Sequence, residues 1–151
     1  MTAPGGDSLF GRTTEAPNGR VLSSYSSAAT RPCRADRSIV EPNEPTAVYC
    51  YLQGTSMASP HAAGVAALII SRYGDLDNPQ NGKMRPGAVA AYMQQTADPQ
   101  PCPTQTTTGL FGLTFGDFPR PDGSPQECQG GEGYNSWYGS GQINALSAIT
   151  R

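Results

Sequence analysis

A chain of 151 residues is the size of one ordinary domain, yet only 36% of it is hydrophobic and 32 positions are Gly or Pro (18 and 14). That balance fits a loop-rich chain, or one whose core belongs to something larger. A net charge of −2 excludes electrostatic attraction to nucleic acid or to an anionic membrane surface, and no apolar run reaches the roughly 18 residues of a membrane span.

In chain order, residues 1–7 open as a loop with a Gly5-Gly6-Asp7 turn, and the N-terminus lacks the basic and apolar regions of a secretory signal. Residues 8–20 are polar and hold a second turn, Pro17-Asn18-Gly19. Val21-Leu22-Ser23-Ser24-Tyr25 reads as a short strand. Residues 26–46 carry Pro32, Pro42 and Pro45 among mixed charges and read as a surface loop pinned by Cys33; the charges of residues 31–37 form a solvated run. Ala47-Val48-Tyr49-Cys50-Tyr51-Leu52 is β-branched and aromatic enough for a strand.

That strand feeds into Gly54-Thr55-Ser56-Met57-Ala58-Ser59-Pro60-His61. Here Thr55 is a natural N-cap and Pro60 falls early, where a missing N–H costs least. Residues 62–70 are apolar on every side apart from Gly64, the mark of a buried central helix. Such a helix presents a hydroxyl, free N–H groups and the positive end of its dipole at one place, which suits a developing oxyanion. Gly54 and Gly64 are expected to allow close backbone approach, the first beside Ser56 and the second between the helix and a sheet. The helix ends near Tyr73-Gly74. Residues 75–85 are polar, with Asn78-Pro79 and Asn81-Gly82 turns. Pro86 starts a second helix to about residue 97, with Val89, Tyr92, Met93 and Thr96 at helical spacing. Residues 98–136 are rich in Pro, Gly and Thr and hold Phe111, Phe115 and Phe118; a loop this long reads as an insertion. Residues 141–149 close with a short helix, and no internal repeat is visible.

The four cysteines, Cys33, Cys50, Cys102 and Cys128, allow three pairings, and none has the close spacing of a zinc site. Cys33–Cys50 and Cys102–Cys128 are favoured, because each pair brackets a loop-rich segment. Each bridge is then worth about 3 kcal/mol in the chain-entropy model. Four reduced, partly buried thiols are the alternative. Disulfides imply an oxidising compartment.

The stretch from Gly54 to His61 resembles the serine motif of the subtilisin-like serine proteases (subtilases, S8 peptidases). Ala3-Pro4-Gly5 resembles the segment that precedes that motif in the family. Tyr138-Gly139-Ser140-Gly141-Gln142-Ile143-Asn144-Ala145 resembles its closing stretch, and Thr96-Ala97 the end of its following helix. The resemblance implies the C-terminal part of a three-layer α/β domain, with a parallel sheet and a buried central helix, over residues 1–151. It implies a serine endopeptidase acting on protein or peptide substrates. Ser56 is then the nucleophile, its backbone N–H is one oxyanion donor, and Gly54, Thr55, Met57, Ala58 and Pro60 support the motif. The His-Gly-Thr and Asp-x-Gly segments that carry the other two triad members are not in this sequence. The resemblance places them, and the side-chain oxyanion donor, upstream, in a missing N-terminal half that is itself a candidate partner. The export signal of a secreted, extracellular protein is expected there too.

His61 is the single histidine. It stands five residues after Ser56, about 140° around the helix and roughly 7 Å along it, so it serves packing or hydrogen bonding. Asp7, Asp75 and Asp77 read as turn or cap residues, and Met57 and Tyr51 as core. No cofactor or metal ligand set is called for, although structural calcium is compatible with the complete domain by resemblance. The alternative to a peptidase is a catalytically inactive remnant, or an interaction module stapled by disulfides.

Overall fold

A computed structural model describes residues 1–6, 19–75, 84–102 and 127–151. Asp7, Asp77, the Asn78-Pro79 and Asn81-Gly82 turns, most of the Pro17-Asn18-Gly19 turn and the three phenylalanines of the long loop lie outside the described residues. The chain divides into two compact units, Gly5–Ala58 and Met1–Pro4 with Ser59–Arg151.

The first unit is a three-stranded sheet. Strands β1 (Val21–Tyr25), β2 (Ser38–Glu41) and β3 (Glu44–Leu52) lie in the order β1-β3-β2. Both pairings are antiparallel, with Ser23 and Ser38 flanking Cys50 from either side. Pro42-Asn43 turns β2 into β3, and a register shift falls between Val40 and Glu41. Pro45 is tolerated near the start of β3, before the ladder to β1 opens at the Tyr25–Val48 pair. A 3-10 turn, Ala35–Arg37, precedes β2. The stretch expected to be loop through residue 46 therefore contains a hairpin: its prolines mark the turn and the strand start. Cys50 is buried at 2% exposure and bonded to Cys33, with their Cα atoms 6.0 Å apart.

Helix α1 spans Thr55–Tyr73 and runs from the end of the first unit through the second. Helix α2 (Pro86–Gln95) begins with Pro at its first turn, and the Thr96 N–H and hydroxyl both donate to the Tyr92 carbonyl. Helix α3 (Ala145–Thr150) is capped by Asn144, whose side chain accepts from the Ser147 N–H and donates to Asp98. The core of this unit is Val65, Ile69, Val89, Met93 and Ala148. Val65 and Ile69, like Val89 and Met93, recur at i and i+4, so each helix contributes one stripe. The Tyr73 and Tyr92 rings pack 4.9 Å apart at its margin.

Strands β4 (Gly130–Gly131) and β5 (Tyr134–Asn135) form a small hairpin inside the segment expected to be a structureless insertion. Asn135 organises it. Its amide donates to the Gln100 and Gly131 carbonyls, and its oxygen accepts from the Trp137 and Tyr138 N–H groups. At 1% exposure all this hydrogen bonding is internal. Cys102 and Cys128 are bonded close by.

Mixed helices and strands are as expected of an α/β chain, but two features differ. Among the described strands every ladder is antiparallel; short turns join β2 to β3 and β4 to β5 that way, whereas parallel strands need a crossover of a dozen or more residues. Among the described residues, parallel pairing is confined to the isolated Thr2–Gln142 bridge. Second, α1 is not buried all round. Only Val65 and Ile69 are buried, while Ala63, Gly64, Ala67 and Leu68 are exposed. The sequence makes α1 apolar on all sides; the core residues cover one flank of it.

Candidate functional site

The serine turn is built on three adjoining pieces of the first unit: the end of β3, residues 5 and 6, and the first turn of α1. Gly54 has φ 139°, a left-handed conformation that favours glycine. Its carbonyl accepts from the Met57 and Ala58 N–H groups at 3.0 and 3.2 Å, so Gly54 rather than Thr55 occupies the cap position. Thr55 and Ser56 are the first two residues of α1, and their N–H groups precede the first helical hydrogen bond. Ser56 is exposed. Its hydroxyl and N–H thus sit at the positive end of a helix of 19 residues.

Gly5 locks this turn from the side. Its carbonyl accepts from the Gly54 N–H at 2.8 Å. A Cβ on Gly5 would lie 2.7 Å from the Gly54 carbonyl oxygen and 3.4 Å from the Ala58 Cβ. Gly6, at φ 78°, continues the contact against the Val21 nitrogen and the Leu52 carbonyl. The close backbone approach expected at Gly54 and Gly64 is therefore at Gly5 and Gly6. A Cβ at Gly54 or Gly64 would meet nothing within 4 Å. Pro-Gly-Gly carried the signal, but only as a turn, because the approach joins residues about fifty positions apart.

Pro60 is the sixth residue of α1, inside the helix rather than at its first turn. It has no N–H to offer the Ser56 carbonyl four residues back, so the turn bearing Ser56 lacks that bond. His61 follows it on α1 and is exposed. Met57 and Tyr51 are half-buried, and Asp75 is exposed just past the helix end.

Among the described residues three groups have shifted titration. A hydrogen bond from Arg34 holds the Asp36 carboxyl below its usual range. The Thr46 hydroxyl does the same for Glu44. Partial burial and the neighbouring Tyr92 push the Tyr73 phenol up. Among the described residues no group of three or more His, Cys, Asp or Glu could hold a metal ion.

The Peptidase_S8 family model, described as the subtilase family, matches residues 2–141. Subtilisin DY of Bacillus licheniformis is 58% identical over 36 residues, which is 24% of this chain and 13% of that protein. The match thus spans a small fraction of that relative's length. No solved structure matches.

Proposed function

The chain belongs to the subtilase family, and on that premise we propose that it carries the nucleophile of a serine endopeptidase, Ser56. The observation behind this is the turn itself: an exposed serine on the first turn of a long helix, set by a left-handed Gly54 and braced by Gly5. Ser56 Oγ attacks the scissile carbonyl of a protein or peptide. The Ser56 N–H faces the oxyanion that forms, and removing one such donor costs about 3 kcal/mol in comparable sites. A base must take the hydroxyl proton and return it to the leaving amine. The single histidine stands five residues along the same helix, on another side. We therefore assign the base and its orienting acid to residues outside these 151, in a fuller three-layer domain with a parallel sheet. The Thr2–Gln142 bridge is a parallel pairing of the kind such a sheet contains. The chemistry needs no metal. Two disulfides fit a secreted protein, and no described helix is long and apolar enough to cross a membrane.

A fluorophosphonate probe tests this on the protein purified from its natural source. Labelling on Ser56, lost in Ser56→Ala, is the expected result. A folded protein that stays unlabelled sinks the proposal. The lack of a second histidine favours one alternative, a non-catalytic module that binds through its exposed faces.

A further inference from the structure

The two disulfides differ in where they sit and in how well they are shielded. Cys33–Cys50 belongs to the unit that carries the serine turn, and Cys102–Cys128 to the other. Cys50 is the most buried residue of the sheet, flanked by Ser23 and Ser38 on neighbouring strands. It stands four positions before Gly54, and the Leu52 carbonyl between them packs against Gly6. Cys33 is half-buried on the connection between β1 and β2. Both Cys102 and Cys128 are half-buried, and Cys128 has exposed neighbours, Glu127 and Gln129.

We propose that Cys33–Cys50 is a redox lock on the nucleophile turn, opened by a dithiol reductant, and that Cys102–Cys128 opens first and leaves that turn in place. The regulatory meaning rests on Ser56 being the nucleophile; the lock itself does not. A dithiol's thiolate attacks the more accessible sulfur, that of Cys33, and expels the Cys50 thiolate. The second thiol then releases Cys33 as a thiol, and the reductant leaves as a cyclic disulfide. Two electrons and two protons pass to the protein. The first step is slow here because a thiolate is disfavoured at a buried position. At Cys102–Cys128 either sulfur can be attacked and neither leaves into a buried site. Once Cys33–Cys50 is open, two thiols need van der Waals separation where a bond held them. Cys50 is buried and held between two strands, so the separation is taken up by a shift of β3. That shift reaches the Gly54 turn through Leu52 and Gln53.

The test is a dithiothreitol titration of the natural protein, with iodoacetamide trapping read cysteine by cysteine and hydrogen exchange read on residues 53–58. Expected first is alkylation of Cys102 and Cys128 with unchanged exchange. At higher reductant Cys33 and Cys50 become alkylated, and exchange of the Gly54 amide accelerates by up to about a hundredfold, the effect of freeing a loop of this size. Earlier opening of Cys33–Cys50 overturns the proposal, as do unchanged exchange after it opens and free thiols there in the natural protein. A Cys102→Ser/Cys128→Ser variant should keep the protection of residues 53–58, and loss of protection there also counts against the lock. Fluorophosphonate labelling separates the two ideas. An oxidised protein that never labels removes the nucleophile assignment and leaves the exchange result standing. Labelling that persists unchanged through full reduction overturns the lock alone.

Discussion

Gly5→Ala should damage both stability and the serine turn. The added Cβ would lie 2.7 Å from the Gly54 carbonyl oxygen. Ordinary contact begins at 3.4 Å, so the two backbones must separate by about 0.7 Å (3.4 − 2.7). No flexible side-chain end can absorb that, because the obstructing atom is backbone. The hydrogen bond from Gly54 N–H to Gly5, now 2.8 Å, lengthens beyond useful range with it. Overpacking of this kind costs about 1 to 3 kcal/mol, and loss of the hydrogen bond adds about 1. Misplacing a nucleophile by about 1 Å can cost on the order of a hundredfold in rate. Thermal unfolding and the rate of fluorophosphonate labelling read the two effects separately. Gly64→Ala is the control, since its Cβ meets nothing within 4 Å and it lies mid-helix. That change should stabilise by about 0.5 to 1 kcal/mol and leave labelling unaltered. If Gly5→Ala melts and labels like the parent, the side brace inferred for Ser56 is wrong.

Asn135→Leu should destabilise the second unit by about 1 to 3 kcal/mol, because it removes the partner of the half-buried Trp137 and Tyr138 N–H groups and of the Gln100 carbonyl; chemical denaturation followed by Trp137 fluorescence reads this, and an unchanged midpoint counts against the hub. Acid and alkali should act in opposite senses. Asp36 and Glu44 are held below their ordinary values of 3.8 and 4.5, so what they contribute is present above those values and fades as pH falls through the lowered ones. Tyr73 is raised above 10.0, so its contribution is present below pH 10 and fades as pH rises past the raised value. All three are exposed enough for the effects to be small. Tyr73→Phe should flatten the alkaline limb alone, and a melt series across pH checks both limbs.

The serine turn was legible because its own chain pieces are local: a β-branched strand, a glycine and a small-residue helix start within fourteen positions. The start of α2 was legible for the same reason, at Pro86; the closing helix was read from residue 141, whereas α3 begins at Ala145 behind its Asn144 cap. The β2–β3 hairpin was not, because Pro42 and Pro45 read as loop until the partner strand shows one in the turn and one ahead of the ladder. Gly5 was read as a turn and by resemblance, and its brace on the serine turn was not, since that constraint comes from Gly54, distant in the chain. Asn135 passed unremarked because one polar residue in a Gly-rich loop gives no periodic signal, and one of its four partners, Gln100, is far back in the chain. Periodicity correctly made α1 apolar on all sides, but apolarity states what a helix can bury and not what covers it.

The Thr2–Gln142 bridge also sets an order of events during synthesis. The Thr2 N–H donates to the Gly141 carbonyl, and Thr2 accepts from the Ile143 N–H, both at 2.9 Å. These partners are 139 or more positions apart. Closing a loop of that length costs about 4 kcal/mol of chain entropy. Residue 2 therefore leaves the ribosome without its partners and waits for almost the whole of this stretch to be translated.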